Sequence, residues 1–189
     1  MKMTTKKCHW NGDNRPQDIR IGKYFMLSDF LYSAKAAIVG IANCPPLDGP
    51  EIEALRGLAE HILDPVVDKF GPISITYGYT CPELHAKLYG ANSRLGVHDC
   101  VPAKAKGAVL AAAADIIVHR KIDLTKDEPR EVLFWIKDNC EFDRLILYPG
   151  SEIICTAWAD KPRFDCKEWI YPDVSGFEKA VYVNAKRRN

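Results

Sequence analysis

Val109 to Val118, reading Val-Leu-Ala-Ala-Ala-Ala-Asp-Ile-Ile-Val, is the stretch that most restricts how this chain can fold. It is almost wholly apolar and shows no alternation, which predicts a central strand buried on both faces. Such a strand needs partners. Ile73, Ile75 and Tyr77 alternate as a strand should after the Gly71-Pro72 stop, and 142–148 and 152–158 flank a tight Pro149-Gly150 turn. A last strand is expected over 180–184. Helices are expected over 29–39, capped by Ser28, and from Pro50 through Ile52, Leu55, Leu58, Ile62 and Val66, with Pro65 kinking or splitting the second. A short helix opens at Cys81-Pro82-Glu83 and ends near Tyr89-Gly90. Thr125 and Glu128 form a capping box for another, ending near Cys140. The class is α+β: helices packed on a mainly antiparallel, largely meandering central sheet.

With 189 residues and 47% hydrophobic content, the chain can bury its own core. The pattern predicts a polar arm over 1–23 and one domain over 24–189. A net charge of +1 supplies no field for nucleic acid or an anionic membrane, and no apolar run reaches the length of a membrane span. The basic residues Lys186, Arg187 and Arg188 read as a solvated tail. Seven cysteines, an odd number with no CxxC pair, suit reduced thiols, and the N-terminal stretch shows no apolar leader. The expectation is a cytoplasmic protein.

From Tyr24 onward, several phrases recur in the order of a known family. They are Phe25-Met26-Leu27-Ser28-Asp29-Phe30, Ile41-Ala42-Asn43-Cys44-Pro45, the helix from Leu55 to Leu63-Asp64-Pro65-Val66, Phe70-Gly71-Pro72-Ile73 leading to Tyr77-Gly78-Tyr79, and Phe142-Asp143-Arg144-Leu145-Ile146. Over roughly 24–160 the chain resembles the M15 peptidase family, the zinc D-Ala-D-Ala carboxypeptidase-like enzymes, in its phage and bacterial branch. The resemblance implies a Hedgehog/DD-peptidase fold and a phage or prophage source.

It also shows what is missing. The family's first metal motif, HxxGxAxD, falls on 108–115, where its aspartate is present as Asp115 but its histidine is Ala108. The second histidine ligand falls on Cys155, the general-base carboxylate near Tyr148, and the substrate-binding arginine on Thr80. Alanine ligates nothing, and a phenol with a pKa near 10 is a poor base at neutral pH. These losses predict a chain without the ancestral reaction or a cofactor. It would keep a binding cleft of Tyr77, Tyr79, Thr80, Ala108, Asp115, Tyr148, Cys155 and Trp158 for a peptide, a cell-wall fragment or a protein partner.

A different expectation comes from the stretch 91–107, which against the family carries an insertion holding His98-Asp99-Cys100. Asp115, Cys155 and either His98 or Cys100 form a chemically reasonable zinc set, and with it a rewired metallohydrolase. Cys81, with His85 four residues on, is a further candidate nucleophile lacking an orienting group, alongside Tyr148. His61, His119, Phe134, Trp135, Trp169 and Tyr171 read as packing or ordinary surface residues.

Overall fold

The structure, a computed structural model, describes residues 18–101, 107–119, 128–148, 151–170 and 179–182. Its strands are β1 (Ile73–Tyr77), β2 (Ala111–Val118), β3 (Arg144–Leu147), β4 (Ile154–Ala159), β5 (Asp165–Ile170) and β6 (Lys179–Tyr182). They form one sheet in the order β1-β2-β4-β3-β5-β6. The apolar run becomes β2, antiparallel to β1 on one side and β4 on the other. It begins two residues later than the pattern suggests, because Val109 stays exposed. The class is α+β, and every pairing is antiparallel except β3 with β5.

That parallel pair breaks the expected meander. After the β4 strand the chain crosses to the far edge of β3, where Arg163 donates to buried Asp143 through its backbone N (3.1 Å), Nε (2.8 Å) and a terminal guanidinium nitrogen. The Asp165 amide then donates to the Asp143 carbonyl at 2.9 Å, which sets the register of β5. The Pro149-Gly150 turn and Thr125 lie outside the described residues.

The helices are α1 (Leu27–Leu31), α2 (Ala34–Val39), α3 (Pro50–Leu58), α4 (Asp64–Phe70), α5 (Pro82–Tyr89) and α6 (Glu128–Asn139). The expected helix over 29–39 is two pieces, because Ser33 rather than Ser28 caps the longer run, accepting from Ala36 N at 3.2 Å. Ser28 instead donates its hydroxyl to Asp18 at 2.5 Å. The helix from Pro50 is split, as expected, into α3 and α4. A π turn over Ala59–Leu63 widens the ladder just before α4, and Pro65 then falls in the first turn of α4, where no amide donor is needed.

Leu55, Leu58, Ile62, Leu63 and Val66 pack on the sheet face carrying Ala112, Ala114, Ile116, Ile154 and Trp158. The close approach depends on Gly57. A Cβ there would sit 2.3 Å from the Trp158 ring, which also stacks on His61 at 5.4 Å. Gly57→Ala will therefore force the buried ring to move, at about 1–3 kcal/mol. An unchanged midpoint in thermal melting would show that the ring yields freely.

Two polar side chains pin the connections. The Asn43 amide donates to Leu31 O (3.1 Å) and Tyr79 O (2.7 Å), and its oxygen accepts from Cys81 N (2.8 Å). Asp64 accepts from the backbone amides of Lys23 (2.7 Å) and Tyr24 (3.2 Å). The end of the arm is thereby tied to the domain, with Ile21 buried. Cys81, Cys100, Cys140, Cys155 and Cys166 lie outside any disulfide, whereas Cys44 is disulfide-bonded, which an all-thiol reading did not anticipate. Among the described residues no helix is long and apolar enough to cross a membrane.

Candidate metal centre

Register alone brings the key side chains together. Tyr77 on β1 lies opposite Asp115 on β2, Asp115 opposite Cys155 on β4, and Cys155 opposite Ile146 on β3. Directly opposed residues project from the same face, so these four form one row, on the face turned away from α3. In the next row Ala113, Ala157 and Arg144 are mutual neighbours. The floor beside the row is small: Ala111, Ala113, Ala157 and Ala159 pack with Val97, and Ala108 lies against them.

His98 reaches this row from the segment between α5 and β2. A 3₁₀ turn over Val97–Asp99 carries it, and its carbonyl accepts from Thr80 N at 2.8 Å. Its ring packs on Tyr77 at 4.6 Å between centroids, and Nδ1 lies 2.9 Å from Gly78 O. A carbonyl only accepts, so Nδ1 carries the proton and Nε2 presents a lone pair. That Nε2 stands 3.7 Å from Asp115 Oδ1, a buried atom with no hydrogen-bond partner. One ligand atom from each of His98, Asp115 and Cys155 lies within 4.8 Å of the others.

The electrostatics of this group follow from burial. Desolvation holds the His98 imidazole below its usual range, against the opposing pull of Asp115. The Cys155 thiol is pushed up, by burial first and then by the charge of Asp115 and a hydrogen bond to it. Tyr148 is raised mainly by burial and further by Cys155 and Asp115, so its hydroxyl stays protonated at neutral pH. Tyr77, hydrogen-bonded to Thr80 at 2.6 Å, is raised to about 12 by burial. The Arg144 charge is felt at His98, Cys155 and Tyr148, and its Nε is buried without a hydrogen-bond partner.

The other residues named from sequence fall elsewhere. Trp158 is on the opposite face of β4, under Gly57, and so is not part of the cleft. Tyr79 is 2% exposed within the main core, its amide donating to Phe30 O. Thr80 is buried and closed against Tyr77. Cys100 approaches the Glu51 carbonyl at 3.9 Å, away from the triad, so His98 is the loop residue that joins the site. Cys81 caps α5, accepting from Leu84 N, and His85 pairs with Asp99 at 2.9 Å instead of with Cys81. Arg144 was missed in the sequence. Its signal was an arginine two residues before Ile146 on a strand otherwise apolar, hence on the same face.

No family model, curated protein or solved structure matches this chain.

Proposed function

We propose that the chain is a zinc-binding hydrolase of the M15 peptidase type, on a Hedgehog/DD-peptidase-like fold, with its metal site rebuilt from His98, Asp115 and Cys155. The observation that carries this reading is the pair of lone-pair acceptors, His98 Nε2 and the buried Asp115 Oδ1, facing each other at 3.7 Å between half-buried side chains. Two acceptors repel unless a cation lies between them. The donor set fits zinc, which takes imidazole, thiolate and carboxylate. Bonds of about 2.0–2.3 Å would place tetrahedral ligand atoms roughly 3.3–3.8 Å apart, so the triad needs only small side-chain adjustments to close. His98 already has the outer-shell partner that metal-bound histidines use, the Gly78 carbonyl.

Three protein ligands leave a fourth position open, the arrangement of a catalytic rather than a structural zinc, which supplies an acidified water and polarises a carbonyl. Around it the chain contributes Arg144 as a cation and Tyr148, 41% exposed, as a neutral hydrogen-bond donor for developing negative charge. The small alanine floor leaves room for a peptide or cell-wall fragment.

Elemental analysis after reconstitution with zinc should find about one zinc per chain, and peptide hydrolysis should stop on adding a chelator. Protein that stays metal-free under saturating zinc would sink the proposal. Binding should also release the proton that burial keeps on Cys155. Below the raised pKa of that thiol, apparent affinity should climb about tenfold per pH unit. The depressed pKa of His98 adds a second proton only in more acidic solution. Competition against a chromophoric chelator across pH reads that slope, and a flat profile would remove Cys155 from the ligand set.

A second reading is favoured by one observation: the raised pKa of Tyr148 makes it a worse base than the carboxylate of the family. On that reading the cleft binds a peptide, a cell-wall fragment or a protein partner without cleaving it. Stoichiometric zinc with no chelator-sensitive hydrolysis would select it.

A further inference from the structure

A loop has no sheet register to aim its side chains, yet His98 is held against the row. Asp99, the next residue, is 3% exposed at its side chain. Its Oδ2 accepts from Gly96 N at 2.6 Å, closing the turn on itself, while Asp99 N and Val101 N both donate to Gly96 O. Its Oδ1 stands 2.9 Å from His85 Nδ1 on α5. That contact lacks the in-line geometry of a hydrogen bond, since Asp99 Oδ1 and His85 Nε2 are both buried without one. The His85 ring is backed by Tyr89 at 4.9 Å.

A carboxylate that only closed a turn would do so equally well in water, as exposed capping residues do. Burying it costs several kcal/mol, which is sustained only where a partner compensates. The polar group nearest the buried Oδ1 is His85, so this contact links the 96–101 turn to α5, whose Leu84 is fully buried in the core. The side of the turn opposite Asp99 is held by Thr80 N and Gly78 O, both within the segment between β1 and α5.

We propose that Asp99 and His85 are positioning residues, clamping the 96–101 turn to α5 so that His98 meets Asp115 and Cys155 in one orientation and one tautomer. The proposal rests on the metal reading for its purpose, though not for its test. His98 itself reports the clamp. In metal-free protein, long-range ¹⁵N–¹H spectra should show His98 as a single tautomer, protonated at Nδ1. In His85→Ala, and in Asp99→Asn, which keeps an acceptor for Gly96 N but loses the charge facing His85, the two ring nitrogens should move toward averaged shifts. With cobalt as the probe, both variants should bind about 10- to 100-fold more weakly than the parent chain and show an altered visible spectrum.

Variants in which His98 keeps a single tautomer would overturn the clamp. So would cobalt affinity and spectrum equal to the parent's. If the parent chain itself binds no cobalt, the metal reading fails, and the tautomer measurement still decides the clamp. Should Asp99→Asn fail to fold, His85→Ala, altered on α5 rather than in the turn, carries the test.

Discussion

Asp115→Ala protein should lose zinc yet keep nearly all of its stability. Changing a group that merely orients a ligand costs metal sites 10- to 100-fold in affinity, so removing a ligand outright should cost more than about 100-fold. In most buried settings, deleting a carboxylate also weakens the fold, because its partners are stranded. Here Asp115 Oδ1 has no hydrogen-bond partner to strand, and its loss relieves the repulsion of the His98 lone pair 3.7 Å away, which offsets the hydrogen bond that the buried Cys155 thiol loses. Metal-free Asp115→Ala should therefore stay within about 1 kcal/mol of the metal-free parent. Chelator competition and melting curves on the same samples read both halves. Retained zinc affinity would place the metal elsewhere, and a large loss of stability would make Asp115 an ordinary structural residue.

Breaking the Asp143–Arg163 pair should have the largest effect on the fold, and the two halves should differ. Arg163→Ala leaves the Asp143 carboxylate, 1% exposed at its side chain, buried without its cation and holding only the backbone N–H of residue 163, which costs about 3–5 kcal/mol. Asp143→Ala leaves Arg163, 24% exposed at its side chain, free to turn to water, so its cost should fall nearer 1–3 kcal/mol. Urea denaturation compares them directly. Equal losses would mean that Arg163 is as confined as its partner. Because the pair sits where β5 joins β3, the loss should appear first as weakened amide protection over Asp165–Ile170.

Much of this architecture was legible where one segment carries its own signal. The alanine-rich run fixed β2, Pro82 and Gly90 bracketed α5, and alternation placed β1. Strand β5 was missed because Asp165-Cys166-Lys167-Glu168 carries no apolar periodicity. Its place is set by Arg163 finding Asp143, a contact between distant parts of the chain. Ser28 looked as good a cap as Ser33 until Asp18 took its hydroxyl. The placement of Trp158 in the cleft was an avoidable error. Residues 155 and 158 are an odd number of positions apart on one strand, so alternation sends them to opposite faces.

The site was partly legible for the same reason. Asp115 and Cys155 follow from strand pairing, but the approach of His98 depends on Asp99 reaching His85, and no periodicity encodes that.

The three proposed ligands also differ in what holds them. Asp115 and Cys155 are held by the strand pairing of the sheet, while His98 rides on a short 3₁₀ turn outside it, held by side-chain and loop contacts that open at lower cost. A metal here would be gripped on two sides by the permanent part of the molecule and on the third by a latch. Its residence time would be set by the latch, so the ion could be exchanged many times within the life of one folded chain.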